Sequence, residues 1–362
     1  GKAQLRGFVM AREAGVEVSP VWNKSNREHT IIGTKPENVR QEADAAVRAL
    51  DWKGSYFVDA DHIGLKNVDG FIAASDFFTL DVADSIGREA PAEDLRRFVD
   101  RNARYVGRLE VPGITEPLPV SRERLEEIGR RFLAAVHDAG EIFRHVERAK
   151  GAGSFVVEVS MDESDRPQDP LELFFILSAV AAEGIPAQTI APRFTGRFNK
   201  GVDYVGDSGA FAHEFDQDLA VTALARKEFG LPANLKLSVH SGSDKFSIYP
   251  IIREKLRRHN AGVHLKTAGT TWLEEVVGLA ASGPEGLQLA RDIYRGAMGR
   301  FDEFCKPYAT VIDIDRARLP SLDIVSRWTG EDFVHALRHD ESCSRYNPHF
   351  RQLIHVAYKT AA

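Results

Sequence analysis

Histidine and acidic side chains recur at the ends of short β-rich runs along the chain. His240 and His264 lie on two successive runs, and Lys266 shares the alternating phase of His264. Glu158 lies on an earlier run, and His62 follows another. Imidazole and carboxylate ligands together suit Zn, Mn, Fe, Co or Ni. Together these four side chains predict a divalent metal site with the ligands His62, Glu158, His240 and His264. Each histidine taken alone is more typical of a structural residue than of a metal ligand.

Other residues of the same runs can transfer protons or bind anions. Asp59 and Asp61 flank one alanine and point the same way from a strand, so they can act as a base and its partner, as metal ligands, or as loop caps. The segment 240–245 leads towards a helix, where Ser241 can serve an anion site or a simple N-cap. Arg193 can neutralise a carboxylate or phosphate, or bridge acidic neighbours.

The elements that position these residues alternate between strands and helices. Predicted strands are residues 29–34, 55–59, 77–82, 154–160, 187–191, 235–240 and 262–266. Predicted helices are residues 3–14, 36–50, 171–183, 215–229, 246–258 and 271–281, with another that begins after an Asn347 N-cap at Pro348. Such alternation predicts a parallel sheet with right-handed crossovers.

The polarity of the strands favours a barrel over an open sheet. In residues 235–240 and 262–266, apolar side chains alternate with lysine, serine and histidine. A parallel sheet covered on both sides is apolar on both faces, whereas a barrel can carry its active site at the carboxyl ends of the strands. We therefore expect an α/β, TIM-like (β/α)8 barrel.

The expected barrel spans residues 1–282 and includes a charged helical insertion at residues 85–149. A helical C-terminal extension, residues 283–362, packs on it. Seven strands are visible where eight are needed. The missing one is expected upstream of residue 1, and residues 308–314 are a weaker candidate.

Composition excludes several classes of protein. Of 362 residues, 43% are hydrophobic and 28% charged, which is typical of a globular chain and not of a disordered one. A net charge of −6 without a basic stripe argues against nucleic-acid binding. No apolar run reaches the roughly 20 residues of a membrane span. Two cysteines, Cys305 and Cys343, favour a reducing cytoplasm. The oligomeric state stays open, a homo-oligomer included.

Some familiar cofactor motifs are missing from the sequence. No GxGxxG follows a strand and opens a helix, so NAD is not expected. There is also no phosphate-binding GxxxxGK[ST] loop and no GxSxG nucleophile elbow. These absences leave a metal ion as the expected cofactor.

Several long strings resemble the tagaturonate/fructuronate epimerase family, which acts in bacterial hexuronate breakdown. They are VWNKSNREHT at 21–30, IIGTKP at 31–36, DADHIG at 59–64, HSGSDKF at 240–246, HLKTAGT at 264–270 and YNPHFRQL at 346–353. The resemblance covers essentially the whole chain. It implies an epimerase that interconverts D-tagaturonate and D-fructuronate with a divalent metal, with a small keto-uronate as substrate.

The implied reaction inverts a carbon that is β to the ketone, so simple enolisation cannot exchange its hydrogen. Two routes remain. One is retro-aldol cleavage followed by re-addition, and the other is transient oxidation. The absence of a dinucleotide motif favours the retro-aldol route. Asp61 and Lys266 are then the candidate base and proton donor. Arg193 or Lys245 would hold the substrate carboxylate, and Ser241 is a further candidate for substrate binding.

Two other classes of function stay open at this point. A metal-dependent keto-sugar isomerase or aldolase would use the same barrel and the same ligands. A non-enzymatic barrel that binds sugar acids would need neither the metal nor the acid/base pair.

Overall fold

The computed structural model describes residues 1–267 and 269–361. Ala268, within the family-like string at 264–270, lies outside the described residues. The chain divides into two compact units. The first comprises Gly1–Thr195, Gly209–Val239 and Ile252–His264, and the second comprises Gly196–Ser208, His240–Ile251 and Leu265–Ala362. The predicted domain division after residue 282 stays a prediction.

The nine described strands form one large sheet and one hairpin. They are β1 (Val21–Ser25), β2 (Phe57–Ile63), β3 (Phe77–Asp81), β4 (Gly107–Leu109), β5 (Leu118–Val120), β6 (Val156–Ser160), β7 (Thr189–Ala191), β8 (Lys236–His240) and β9 (Val263–Lys266). The large sheet has the order β1-β2-β3-β6-β7-β8-β9, and the pairs from β1 to β8 are parallel. The predicted α/β class with a parallel sheet is therefore confirmed.

Helices connect these strands and make up most of the second unit. They are α1 (Lys2–Glu13), α2 (Asn26–Ile32), α3 (Pro36–Ala49), α4 (Asp69–Ile72), α5 (Ala92–Asn102), α6 (Arg122–Lys150), α7 (Pro170–Ala182), α8 (Ser208–Phe229), α9 (Tyr249–His259), α10 (Thr270–Ala281), α11 (Pro284–Gly299), α12 (Phe301–Cys305), α13 (Leu322–Arg327), α14 (Gly330–Leu337) and α15 (Pro348–Val356). The predicted Asn347 cap of α15 is confirmed. None of the helices described is long and apolar enough to cross a membrane.

The predicted eight-stranded closed barrel is wrong for the residues that the structure describes. Their large sheet has seven strands, and β1 and β9 stand at its two ends. The candidate eighth strand at residues 308–314 is instead the end of a 3-10 turn, Lys306–Tyr308, followed by turns and coil. Apolar alternation over a few residues cannot distinguish such an irregular segment from a strand.

The first predicted strand, residues 29–34, is also wrong because this segment forms most of α2. The β-branched residues Thr30 to Ile32 favour a strand, but the helix-capping signals at the two ends of the segment outweigh this preference. Ser25 and Glu28 form a reciprocal capping box, and Gly33 ends the helix in the left-handed conformation with φ of 67°. The strand itself, β1, precedes the helix. Residue 246 likewise lies outside α9, which begins three residues later than predicted.

The predicted helical insertion at residues 85–149 contains α5 and α6 together with the antiparallel β4–β5 hairpin. The sequence reading missed this hairpin because strands of three residues show too little alternation to detect. Helix α6 has 29 residues, starts at a Ser121 cap and carries the chain from the insertion towards β6. It is thus the crossover between two neighbouring strands of the sheet.

Each unit has its own apolar core. In the first unit, α7 is hydrophobic on all sides, and its residues from Leu171 to Val180 are buried. Side chains of α10, α11, α14 and α15 form the core of the second unit, with Tyr294 and Phe350 among its fully buried rings. The mostly helical nature predicted for the chain after residue 283 is confirmed.

Candidate active site

Strands β2, β3 and β6 bring acidic and hydroxyl side chains together in the first unit. Thr79 on β3 pairs in register with Glu158 on β6, and its hydroxyl is 3.3 Å from Glu158 Oε1. The same hydroxyl lies 3.1 and 3.0 Å from the two oxygens of Asp59 on β2. All three residues are buried. One hydroxyl has one proton, so it can donate to only one of the two carboxylates at a time.

A distortion of β2 places Asp61 and His62 in contact. The register of β2 against β3 shifts between Ala60 and Ile63, and His62 adopts a positive φ of 51°. Neighbouring residues of a regular strand point to opposite faces, but the bulge turns the imidazole so that its Nδ1 lies 2.7 Å from Asp61 Oδ1. A non-glycine residue in this conformation costs energy, which marks the position as one that the surrounding structure enforces.

The imidazole of His62 also faces a second carboxylate. Its Nε2 lies 3.5 Å from Oδ1 of Asp162, which in turn accepts a 2.6 Å hydrogen bond from Ser160. A carboxylate accepts but does not donate, so Asp61 keeps the proton on Nδ1, and Nε2 is the ring atom that could bind a metal. This is the arrangement in which a carboxylate orients a metal-binding histidine.

The electrostatics of His62 favour a cation at the same atom. Burial lowers the pKa of the imidazole, but Asp61 and Asp162 outweigh burial and raise the pKa well above 6.5. Burial also raises the pKa of Asp81, at the end of β3. A proton and a metal ion compete for the lone pair of Nε2, so the charge that attracts the proton also attracts the metal. The donor set of imidazole nitrogen and carboxylate oxygens fits Zn²⁺ or a similar ion.

Two further predicted residues lie in the first unit with other contacts. The His264 ring stacks on Phe77 of β3, with ring centroids 5.0 Å apart. The guanidinium of Arg193 donates to the backbone carbonyl of Ser164, and its backbone N–H donates to the Gln168 side chain at 2.7 Å. Arg193 is therefore held by the segment that follows β6, the same segment that carries Asp162.

The remaining predicted residues, His240, Ser241, Lys245 and Lys266, lie in the second unit. His240 ends β8. The Ser241 hydroxyl donates to the backbone carbonyl of Lys266 at 3.0 Å, which joins the loops after β8 and β9.

Lys245 is fully buried. Its ammonium donates to the backbone carbonyl of Ser243 at 3.0 Å, to the Ser243 hydroxyl at 2.8 Å and to the carbonyl of Asp244 at 3.4 Å. Burial lowers the pKa of Lys245 to about 7, and the carboxylates of Asp203 and Asp244 only partly oppose the effect.

The sequence reading did not propose Asp162 or Thr79 as site residues, and it did not predict that Asp61 contacts His62. Asp162 lies two residues beyond β6, where alternation no longer assigns a direction to a side chain. Thr79 is a common strand residue with no distinguishing neighbour in the sequence. The bulge in β2 had no glycine to mark it, so its effect on His62 could be found only in the structure.

Comparison with known proteins gives a family match over nearly the whole chain. The family model described as tagaturonate epimerase, UxaE, matches residues 7–361. A curated tagaturonate/fructuronate epimerase from Thermotoga maritima is 27% identical over 349 residues, which cover 92% of this chain and 66% of that protein. The chain thus spans slightly less than two thirds of the length of this relative.

Solved structures agree on the fold. Crystal structures of fructuronate-tagaturonate epimerase UxaE from Cohnella laeviribosi, one with a glycerol complexed and one native, superpose with TM-scores of 0.75 and 0.74. Both are 24% identical to this chain, and each alignment covers 93% of it and 66% of the other chain. At this identity the likeness supports the fold alone. The family match over residues 7–361 carries the assignment, and the chain belongs to the tagaturonate epimerase family.

Proposed function

We propose that the chain is a metal-dependent epimerase that interconverts D-tagaturonate and D-fructuronate. The observation that carries this proposal is the family match over residues 7–361. The contact of His62 with Asp61 and Asp162 supports the metal dependence, because it presents one imidazole nitrogen beside a carboxylate. We also propose a cytoplasmic location, since both cysteines, Cys305 and Cys343, are free thiols.

The proposed metal ligands are His62, Glu158, His240 and His264, and Asp162 joins them as a candidate because of its position beside His62 Nε2. A divalent ion bound by such residues would act as a Lewis acid that stabilises an enediolate. Asp61 would then orient His62 through the 2.7 Å contact with Nδ1.

In the proposed retro-aldol route, a base removes the hydroxyl proton at the carbon to be inverted. The bond between that carbon and the carbon α to the ketone breaks, and its electron pair becomes part of an enediolate at the former ketone. The new aldehyde rotates, the enediolate adds to its other face, and the alkoxide takes back a proton. Asp61 and Lys266 are the proposed base and proton donor.

The substrate carboxylate needs a cation, for which Arg193 and Lys245 are the two candidates. Lys245 is fully buried and its ammonium is held by Ser243, whereas Arg193 is only partly buried. We therefore propose Arg193 as the first contact for the carboxylate, with Ser241 as a hydrogen-bonding group for a sugar oxygen.

The direct test is to incubate the protein with tagaturonate and single divalent metals, and to follow fructuronate by chromatography. Activity that disappears with a chelator and returns with one metal is the expected result. No fructuronate with any metal tested, while a panel of keto sugars gives isomerised or cleaved products, would favour the isomerase or aldolase alternative. Arg193→Gln should raise KM for tagaturonate far more than for the neutral sugar tagatose, whereas equal effects would remove Arg193 from carboxylate binding.

Deuterium at the inverted carbon separates the two mechanisms. Retro-aldol chemistry leaves that C–H bond intact, so the label should be fully retained with only a small secondary isotope effect. Transient oxidation moves the same hydrogen as hydride and gives a primary isotope effect. A primary effect would therefore end the retro-aldol proposal, whatever the metal dependence.

A further inference from the structure

A second group of potential metal ligands lies wholly within the second unit. Asp203, His339 and Glu341 each present a ligand atom, and these atoms all lie within 4.8 Å of one another. None of the three belongs to the metal site proposed above. We propose that they bind a divalent transition-metal ion that fixes the loop carrying Ser241 and Lys245. This inference stands on the geometry of the second unit and does not depend on the proposed epimerase activity.

Asp203 is a fixed ligand with one oxygen largely available. Its Oδ1 accepts the backbone N–H of Tyr204 at 2.6 Å and the Ser247 hydroxyl at 2.9 Å. Its Oδ2 shares the backbone N–H of Ser247 at 3.0 Å and has no other hydrogen bond among the described residues. The carboxylate is therefore oriented by three groups that bind mainly its other oxygen, and Oδ2 keeps lone pairs for a cation.

His339 supplies the nitrogen ligand. Its ring lies between Phe246 and Tyr346, with centroids 5.1 and 6.0 Å away. Both ring nitrogens are buried, and neither has a hydrogen-bond partner among the residues described. Buried polar atoms are nearly always satisfied, so a ring held by two aromatic neighbours with both nitrogens unsatisfied points to a missing partner.

Glu341 completes the set from the exposed side. One of its carboxylate oxygens lies within 4.8 Å of a carboxylate oxygen of Asp203, so two acidic groups approach each other here. The charged groups that act on His339 include the cations Lys245 and Arg351 and the carboxylates Asp203 and Asp244. Both of these cations already donate hydrogen bonds to backbone carbonyl oxygens.

The donor set selects a class of metal. One imidazole and two carboxylates suit Zn²⁺ or Mn²⁺ better than Ca²⁺ or Mg²⁺, which prefer oxygen ligands alone. Bonds of about 2.0–2.2 Å place two ligand atoms no more than roughly 4.4 Å apart, and the ligand atoms here lie within 4.8 Å of one another, so the group needs at most a small contraction to bind Zn²⁺. Glu341 is exposed and can provide that movement by rotating its side chain.

Such an ion would connect three segments of the second unit. Asp203 lies in the segment Gly196–Ser208, His339 and Glu341 follow α14, and Ser247 ties the loop His240–Ile251 to Asp203. Phe246 in the same loop packs on the His339 ring. A metal that holds Asp203 against His339 therefore holds the loop in which Ser241 and Lys245 lie.

The test counts metal ions in the full chain. Tag-free protein is stripped with a chelator, and Zn²⁺ binding is measured by competition with a chromophoric chelator and by elemental analysis after gel filtration. The wild type should bind one more equivalent than Glu341→Gln and than His339→Gln, or should bind the last equivalent at least tenfold more tightly. Glu275→Gln, an exposed glutamate of α10 changed in the same way, should behave as the wild type.

The difference between wild type and variant is the decisive quantity, because a failure of the other proposed metal site lowers the totals of all proteins equally. Unchanged stoichiometry and affinity in both ligand variants would overturn the proposal. Zn²⁺ should also slow hydrogen exchange in residues 240–251 of the wild type but not of Glu341→Gln. Equal exchange in the two proteins would overturn the positioning role.

Discussion

Asp61 would combine the two chemical roles that we propose for it. As a base it would remove a proton from the substrate, and as a partner of His62 Nδ1 it fixes the tautomer that leaves Nε2 for a metal. The sequence predicted the first role from the Asp59–Asp61 spacing. It could not predict the second, because residues 61 and 62 contact each other only through the bulge and the left-handed backbone of His62.

Asp61→Asn separates these roles. The amide oxygen can still accept the hydrogen bond of His62, so metal binding should persist, but an amide cannot act as a base. We expect kcat to fall by about 10²-fold or more with unchanged metal content. A variant that loses affinity for metal about 10- to 100-fold and regains full kcat at saturating metal would show that Asp61 only orients His62. Asp100→Asn, on the exposed side of α5, serves as the matched control.

Arg351 is a structural residue that the sequence did not single out. It is fully buried, and its guanidinium donates to the carbonyls of Gly201 and Leu337, both at 2.6 Å. The planar fork therefore joins α15 to the end of α14 and to the segment around Gly201. A buried arginine cannot be predicted from helix periodicity, because its charge would assign it to the exposed face.

Arg351→Lys keeps the buried positive charge but removes the planar guanidinium that donates to both carbonyls. A lysine ammonium cannot reach both carbonyls, so at least one is left without its donor, and we expect the free energy of unfolding to fall by about 2–3 kcal/mol. Urea denaturation measures the change. Arg295→Lys, on the exposed face of α11, should change stability by less than about 0.5 kcal/mol. A loss below about 1 kcal/mol for Arg351→Lys would contradict the role of the fork.

Helix ends are predictable where the signal is local, although the predicted starts of α8 and α9 lie seven and three residues from the observed ones. Asn347 and Pro348 mark the start of α15, and the structure has the predicted cap there. The same kind of local signal was overlooked at Ser25 and Glu28, where the capping box makes α2 a helix despite its β-branched residues. The sequence carries no comparable local signal for the packing of one helix on another. This packing depends in part on which glycines face a neighbouring backbone, and that is visible only in the structure.

Replacing either of two glycines of the second unit by alanine tests this packing, and the two replacements should change stability in opposite directions. A Cβ at Gly330, the first residue of α14, would overlap the carbonyl oxygen of Ala280 in α10. Gly278 lies in α10 itself, and no heavy atom of the described residues stands within 4 Å of its added Cβ. We expect Gly330→Ala to destabilise the protein by about 1–3 kcal/mol and Gly278→Ala to stabilise it by about 0.5–1 kcal/mol. Thermal or urea unfolding of both variants checks the signs, and a stabilising Gly330→Ala would contradict the α10–α14 packing.

For the whole molecule, the order of strands and helices could be predicted, but closure of the sheet could not. Alternation of residues 235–240 and 262–266 correctly indicated strands with one polar face. Polar strand faces favour a closed barrel, yet the seven described strands leave β1 and β9 at the ends of the sheet. Closure depends on pairing between strands far apart in the sequence, and no single strand carries information on its distant partner.

Global stability should depend on pH through two acidic residues on α8. Glu214 is partly buried and accepts the backbone N–H of Thr195 at 2.8 Å, and Asp218, one turn later, is buried. Burial raises the pKa of Glu214 to about 7, and burial together with the Glu214 carboxylate raises the pKa of Asp218 well above 3.8. Both groups therefore hold a proton in the folded state that the unfolded chain releases. The unfolded state binds fewer protons above pH 4.5, so the free energy of unfolding falls as the pH rises from about 4.5 to 7.

Glu214→Gln removes the proton linkage of this residue and relieves the charge near Asp218, while its amide oxygen can still accept the Thr195 hydrogen bond. The variant should match the wild type near pH 5 and be more stable by about 1–3 kcal/mol at pH 8, after a discount for the solvent on the exposed side of the residue. Urea denaturation at the two pH values measures the difference, with Glu275→Gln as the exposed control. A stability difference between Glu214→Gln and the wild type that is the same at both pH values would show that Glu214 does not bind the proton in the folded protein.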